Sequence, residues 1–408
     1  MKPLVSFLIL FLATHLSQAE NKAGTWPIDR LQSEVPRFRV VDANGPIHSL
    51  IYEGEPVKGN PTEVFAFYAS PKTLGETAEP ESVPGIVLIH GGGGTAFSDW
   101  VWLWTERGYA AIAMDLSGRR PPEPKFDESG EKVTGHAHKR EERVRLEKAG
   151  LDHTHEEKFF SIGGSIDDDW PYHAVANVMK AHSILRSFEE VDPERTAVTG
   201  ISWGGYTTCL AASIDDRFKA AVPVYGCGFL YEGESVQKRS IDDLEDRRDL
   251  WIEAYDPSSH LAKSRVPMLW VNGTHDKHYP LDSYARSYQL PKGQRTIRIE
   301  PRMRHGHSPG WEPIEIGLFV DSHVNGGTSL PNIGPLQRDG ATVSCSFESP
   351  VSITRATLQF TTGEGLRTER NWEMIEAKIK GSSISATPLP PQANTWFFTV
   401  EDERGALI

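Results

Sequence analysis

Continuous apolar runs alternate with helix-like stretches through the middle of this 408-residue chain. Short apolar runs without polar interruption are typical of parallel strands that are buried on both faces. A strand, a helix and a second strand in succession indicate parallel pairing with right-handed crossovers. The pattern therefore predicts an α/β fold with a doubly wound, mainly parallel sheet. The predicted strands are 85–90, 109–114, 196–198, 218–225, 266–271 and 296–300, and the predicted helices are 97–107, 170–188, 206–212 and 312–324.

Three segments depart from this alternation. Residues 20–83 carry short alternating runs separated by proline and glycine, which predicts an extension of antiparallel edge strands. Residues 117–169 are polar, charged and rich in proline, glycine and histidine. We interpret them as an insertion at the rim of an active site, with a solvated loop of no function as the alternative. Residues 329–408 show strand-like runs only, which predicts a small β-sandwich beside an α/β domain of residues 20–328.

The first 19 residues have the pattern of a secretory signal peptide. Lys2 supplies a positive start, the apolar run 4–12 follows, and Ser17-Gln18-Ala19 forms a small-x-small cleavage site. The apolar run is short for a bilayer span, and a retained membrane anchor is the alternative. We therefore expect a secreted or periplasmic protein that has no membrane contact after cleavage.

Charge and cysteine content exclude several classes of partner and site. The formal net charge of −13 argues against nucleic acid or an anionic membrane as the main partner. The three cysteines are too few and too scattered for a disulfide scaffold or a zinc site. We expect Cys209 and Cys227 to be buried as small hydrophobic residues, and the sequence leaves a bridge between them open.

The strongest chemical signal is a serine between a predicted strand and a predicted helix. Ser202 is the centre of Gly200-Ile201-Ser202-Trp203-Gly204, and residues 206–212 have helical character. In such a turn the serine hydroxyl is held above the sheet edge at a helix N-terminus, and flanking glycines remove side chains that would clash. The pentapeptide alone is equally compatible with a surface turn, but its strand and helix context favours a nucleophile.

A serine nucleophile needs a base, and the base needs an acid that holds its orientation. Asp276 follows the buried strand 266–271, where the carboxyl ends of parallel strands form sites, although it could also cap its own loop. Two histidines after the last predicted strand compete for the role of base. We favour His307, which lies nearer the closing helix, and keep His305 as the alternate base.

Backbone amides are the expected stabilisers of the oxyanion. One is that of Trp203, which follows the nucleophile, and the others are Gly91 and Gly92 in the glycine run after the strand 85–90. A phosphate-binding loop is the alternative, but the glycine spacing does not match a dinucleotide fingerprint and no Lys-Ser/Thr pair follows. This chemistry needs no metal and no cofactor.

Four motifs resemble the α/β-hydrolase superfamily. Their order is most similar to the branch that holds the prolyl oligopeptidase-like, dienelactone hydrolase-like and acetyl xylan esterase-like proteins, over roughly residues 85–325. The resemblance implies the α/β-hydrolase fold and a triad of Ser202, Asp276 and a histidine. The motifs are His90-Gly-Gly-Gly-Gly, Gly200-Ile-Ser-Trp-Gly-Gly-Tyr, the Gly273…Asp276…Pro280 loop and Gly306-His307.

The expected function is that of an exported serine hydrolase acting on a small-molecule or carbohydrate ester, such as acetylated carbohydrate. Exported members of the branch include esterases that deacetylate plant polysaccharides. A peptidase or other amide hydrolase is one alternative, although the chain has only about 60 residues where peptidase members carry a propeller. A non-catalytic carbohydrate-binding protein is the other, with Trp372 and Trp396 as candidate sugar contacts that are equally suited to a core.

Overall fold

A nine-stranded mixed sheet forms the centre of the computed structural model, which describes residues 25–75, 82–128, 130, 132–133 and 139–408. The expected signal peptide lies outside these residues. The order across the sheet is β1-β2-β3-β5-β4-β6-β7-β8-β9. These strands are β1 Phe38–Asp42, β2 His48–Glu53, β3 Glu63–Ala69, β4 Val83–Ile89, β5 Ala110–Met114, β6 Val191–Ile201, β7 Ala220–Val224, β8 Met268–Gly273 and β9 Arg295–Glu300.

The strand directions confirm the predicted fold class. Strands β1 to β3 are antiparallel and β3 pairs antiparallel with β5, whereas all pairs from β5 through β9 are parallel. Every residue of β5 and of β7 is buried, so layers cover both faces of the sheet. Those layers draw on α1 Ile28–Ser33, α2 Ser98–Thr105, α3 Trp170–Leu185, α4 Trp203–Ile214, α5 Lys238–Asp242, α6 Arg248–Tyr255, α7 Leu281–Ser287, α8 His307–Trp311 and α9 Ile314–Val324.

The C-terminal region consists of two further sheets that contact the α/β part. One sheet holds three strands and the other holds five. Arg367 donates its amide to the Glu234 carboxylate at 2.8 Å, and the Leu407 amide donates to Glu315 at 2.6 Å. The strands are Asn332–Ile333, Gln337–Asp339, Thr342–Glu348, Ile353–Thr361, Glu373–Glu376, Lys378–Lys380, Ser383–Ala386 and Thr395–Asp402.

The segment 117–169 has little regular structure where it is described. Its ordered pieces are the ribbon of Arg119–Arg120 with Val144–Arg145, the 3₁₀ turns Arg140–Glu142 and Ile166–Asp168, and the π turn Glu156–Phe160. All three cysteines are free and buried, as expected for Cys209 and Cys227. Over the described ranges, none of the helices combines the length and the apolar character needed to cross a membrane.

Candidate active site

Ser202 occupies a strained turn between β6 and α4. Its backbone angles are φ 59° and ψ −117°, a positive φ that L-residues rarely adopt. Glycine is required beside it, because a Cβ at Gly204 would lie 2.0 Å from the Ile89 carbonyl oxygen. A Cβ at Gly200 would lie 2.2 Å from the Gly204 carbonyl oxygen. The turn therefore presents the serine hydroxyl at the carboxyl end of the sheet, as its sequence context predicts.

One histidine bridges Ser202 and Asp276. His305 Nε2 lies 3.0 Å from Ser202 Oγ, and His305 Nδ1 lies 2.6 Å from Asp276 Oδ2. The side chain of Asp276 is 1% exposed, and its second oxygen accepts the amides of His278 and Tyr279, each at 2.8 Å. A carboxylate fixed by two amides holds the imidazole with its proton on Nδ1, which leaves Nε2 free to accept the serine proton.

The sequence-based preference for His307 is wrong, because the structure puts His305 in the bridging position. Residue 307 begins α8, so its side chain follows the helix and turns toward the glycine loop. There His307 Nε2 accepts the Gly91 amide at 3.0 Å, and its ring centroid lies 4.6 Å from that of Phe97. His305 precedes the helix and reaches the serine.

This second histidine also corrects the predicted oxyanion hole. The Gly91 amide donates to His307, the Gly93 amide donates to His153 Nε2 at 2.8 Å, and the Gly94 amide donates to the Gly91 carbonyl at 3.0 Å. Within the described chain, Gly92 is the one residue of this loop whose amide has no hydrogen-bond partner. The Trp203 amide begins α4, where no carbonyl one turn earlier can accept it. Gly92 and Trp203 therefore remain as donors, and Gly91 does not.

The glycines let the loop close around these partners. A Cβ at Gly91 would lie 2.7 Å from the Ile201 carbonyl oxygen, and a Cβ at Gly94 would lie 2.7 Å from His307 Nε2. A Cβ at Gly92 would lie 3.0 Å from Trp203 Cδ1. The loop thus rests directly on the nucleophile turn and on His307, so His307 helps to set the position of the loop.

Replacing His307 with Phe tests this positioning role. Phe keeps an aromatic ring against Phe97 but cannot accept the Gly91 amide. A buried donor left unpaired costs about 1–3 kcal/mol. We expect kcat for an aryl acetate to fall by about 10- to 100-fold, with the pH profile unchanged because His305 remains. An unchanged kcat would show that the loop holds its shape without His307.

A cavity of about 590 Å³ opens beside the glycine loop. Its walls combine aromatic and aliphatic surfaces with charged groups, which suits a ligand that has both apolar faces and hydroxyl groups. Arg143, from the 117–169 segment, donates to the carbonyls of Gly93 and Gly94 at 2.9 and 2.5 Å. The cavity is lined by Gly93, Phe97, Asp99, Trp102, Leu103, Glu106, Arg143, His307, Ser308 and Trp311.

Several residues of the site gave no individual signal in the sequence. Arg143, His153 and Lys158 all lie in the 117–169 segment, where only the unusual loop length suggested a function.

His90 is buried and accepts the Leu116 amide at 2.8 Å, and burial lowers the pKa of His90 to about 4. It is therefore a neutral structural group at pH 7. In the part of the chain that the structure describes, no cluster of three or more His, Cys, Asp or Glu residues could hold a metal ion.

Comparisons with known proteins find one family and one curated relative that are similar to parts of this chain. Residues 155–311 match the prolyl oligopeptidase family. The "Uncharacterized peptidase YuxL" of Bacillus subtilis (strain 168) is 24% identical over 172 residues, which cover 36% of this chain and 25% of that protein. The chain thus spans about a quarter of the length of this curated relative.

Two solved structures share the fold. The acetyl xylan esterase from Paenibacillus sp. R4 superposes with a TM-score of 0.53 at 19% identity, covering 72% of this chain and 92% of that one. Acetyl xylan esterase 1 from Thermoanaerobacterium sp. JW/SL YS485 gives 0.52 at 16% identity, covering 72% and 90%. The chain therefore shares the α/β-hydrolase fold of these two structures, and residues 155–311 are similar to the prolyl oligopeptidase family.

Proposed function

We propose that the chain hydrolyses carboxylic esters through an acyl intermediate on Ser202, with acetylated carbohydrate as the substrate. The observation that carries this proposal is the bridge of His305 between Ser202 Oγ and Asp276 Oδ2, at 3.0 and 2.6 Å. A serine hydroxyl becomes a useful nucleophile only with such a base and its orienting acid.

Each side chain has one role in the proposed reaction. As the Ser202 oxygen bonds to the ester carbonyl carbon, its proton moves to His305 Nε2. The carbonyl oxygen takes the negative charge and accepts hydrogen bonds from the Gly92 and Trp203 amides. When the C–O bond of the ester breaks, His305 returns the proton to the departing alcohol. Water then repeats the sequence on the acyl-serine and releases the carboxylic acid.

Two observations support a sugar as the alcohol. The cavity beside the glycine loop is lined by Trp102 and Trp311 together with two carboxylates, Glu106 and Asp99, the latter paired with Lys132. Aromatic faces pack on the C–H faces of a sugar ring, and carboxylates accept hydrogen bonds from its hydroxyl groups. The fold shared with two acetyl xylan esterases is consistent with this substrate class.

Amide hydrolysis is the second candidate function. The match of residues 155–311 to the prolyl oligopeptidase family favours it. The same Ser202, His305 and Asp276 would serve both reactions, so the distinction depends on the groups that bind the two sides of the scissile bond.

A substrate panel tests the proposal. We expect acetylated xylo-oligosaccharides and 4-nitrophenyl acetate to be turned over, whereas peptide 4-nitroanilides are not. Ser202→Ala serves as the blank, since it removes the nucleophile. Its circular dichroism spectrum should match that of wild type. Amide turnover that exceeds ester turnover would favour the peptidase, and equal rates in Ser202→Ala and wild type would contradict the mechanism.

A further inference from the structure

Lys158 lies beside the nucleophile in an unusual position. It belongs to the π turn Glu156–Phe160 of the 117–169 segment, and its ammonium nitrogen lies 4.5 Å from the centroid of the Trp203 ring. Trp203 directly follows Ser202, and its ring also packs beneath Gly92. Lys158 therefore lies over Trp203, which follows the nucleophile in the chain and packs against Gly92 of the oxyanion loop. Turns of the π type occur frequently at functional sites.

The ammonium group has no carboxylate partner among the described residues. Lys158 is partly buried, and its side chain is in neither an ion pair nor a hydrogen bond. Asp152 is nearby, but it is engaged by Arg119 at 3.2 Å and by the His153 ring at 3.1 Å. Burial lowers the pKa of Lys158 to about 8, opposed by the field of Asp152, so the group is still charged at pH 7. A lysine usually extends its charge into water, and this one lies against an indole ring instead.

The surrounding side chains define one wall of the site. Phe159 and Trp170 meet the Trp203 ring edge-on at centroid distances of 5.7 and 5.9 Å, which fixes the indole that supports Lys158. The ring of His278 lies 4.9 Å from that of His305, and burial lowers the pKa of His278, with smaller contributions from the charges of His305 and Lys158. Because Trp203 directly follows Ser202, the contact with the Trp203 ring puts Lys158 against the side chain that adjoins the nucleophile turn.

We propose that Lys158 binds a carboxylate carried by the ester substrate, so that the preferred substrates are esters of acidic molecules such as uronic-acid-containing sugars. This inference rests on the proposed ester hydrolysis at Ser202. A partly buried cation without a counter-ion has lost part of its hydration, and a hydrogen bond from the ammonium group to a substrate carboxylate would replace it. The net charge of −13 would otherwise repel such a substrate, so a local positive group is required to hold it.

Matched pairs of esters separate charge from shape. One pair is 4-acetoxybenzoate and its methyl ester, which differ in charge on the alcohol side. The other is 4-nitrophenyl hydrogen succinate and 4-nitrophenyl methyl succinate, which differ on the acyl side. The variants are Lys158→Gln, Lys158→Arg and the control Lys292→Gln, in which an exposed lysine between α7 and β9 loses its charge.

We expect Lys158→Gln to raise KM for the charged member of at least one pair by about 10- to 100-fold, the range for a hydrogen bond between charged groups. KM for the neutral member should change by less than about threefold, Lys158→Arg should retain most of the discrimination, and Lys292→Gln should behave as wild type. Added salt should weaken the preference, as it does for any charge pair. Equal losses for both members of both pairs would overturn the inference, since Lys158 would then act only by supporting Trp203.

A binding measurement separates failure of this inference from failure of the proposed function. Calorimetry with Ser202→Ala compares the affinity for 4-acetoxybenzoate and for its methyl ester without turnover. Tighter binding of the charged ester that is lost in Ser202→Ala/Lys158→Gln supports the carboxylate site, even if wild type hydrolyses neither ester. Equal affinity for the two esters contradicts it, even if wild type hydrolyses both.

Discussion

We expect His305→Ala to lower kcat for 4-nitrophenyl acetate by about 10⁴- to 10⁶-fold, the range seen when a serine hydrolase loses its base. His305 Nε2 lies 3.0 Å from Ser202 Oγ, so this substitution removes the group that takes the serine proton. The Asp276 carboxylate keeps its two amide donors in this variant, so the fold should survive with a moderate loss of stability from the missing Nδ1 partner. Steady-state kinetics and thermal unfolding of the same preparation measure both quantities.

The variant His307→Phe is the matched control for this experiment. It removes an imidazole two residues away that accepts the Gly91 amide. His305→Ala should fall to the level of Ser202→Ala, whereas His307→Phe should stay at least about 100-fold above it. The reverse order would return the role of base to His307 and would mean that the loop 304–308 rearranges when substrate binds.

The parallel sheet and the nucleophile turn could be predicted because local pattern determines them. The runs 85–90, 109–114 and 266–271 are apolar at consecutive positions, so a strand formed by any of them presents apolar side chains on both faces of the sheet. The Gly-x-Ser-x-Gly pattern, together with the strand before it and the helix after it, favours the turn that the structure shows, with a positive φ at Ser202 and close backbone contact at Gly204. Both patterns are visible within a few consecutive residues.

Local sequence pattern could not decide whether His305 or His307 is the base. The two residues are separated by Gly306 alone, and the deciding fact is that α8 begins at His307. A one-residue difference in a helix boundary lies below the precision of sequence patterns. The same helix boundary also explains why Gly91 is not an oxyanion donor, because its amide donates to the ring of His307.

The contacts of the 117–169 segment were beyond prediction for a different reason. His153 meets Gly93 across 60 positions, and Lys158 meets Trp203 across 45, in a segment without periodicity. Such contacts depend on how an irregular chain folds over a surface, and no local propensity encodes that. The length of the 117–169 segment was the only indication of a function, and length identifies a region of the chain without identifying its functional residues.

Asp276→Asn should lower kcat by about 10⁴-fold, the loss known for this change in a serine triad, because it reverses the tautomer of the base. The Asp276 carboxylate accepts the Nδ1 proton of His305 at 2.6 Å, whereas an amide can place its NH₂ group there and donate instead. His305 would then carry its proton on Nε2, facing Ser202, and could not act as a base. The His278 and Tyr279 amides would still meet the side-chain oxygen, so the fold should survive, as thermal unfolding can check.

The control is Asp249→Asn, which makes the same change where the side chain is 93% exposed and distant from the triad. It should leave kcat and the melting temperature unchanged. Because the loss in Asp276→Asn comes from a wrong tautomer and not from a missing group, KM should rise much less than kcat falls. A loss of less than about tenfold in kcat would mean that His305 is oriented by other contacts, of which the rings of Tyr225 at 4.6 Å and His278 at 4.9 Å are the nearest aromatic candidates. In that event the buried carboxylate would serve to fix the loop through its two amide hydrogen bonds, and the triad would function as a dyad.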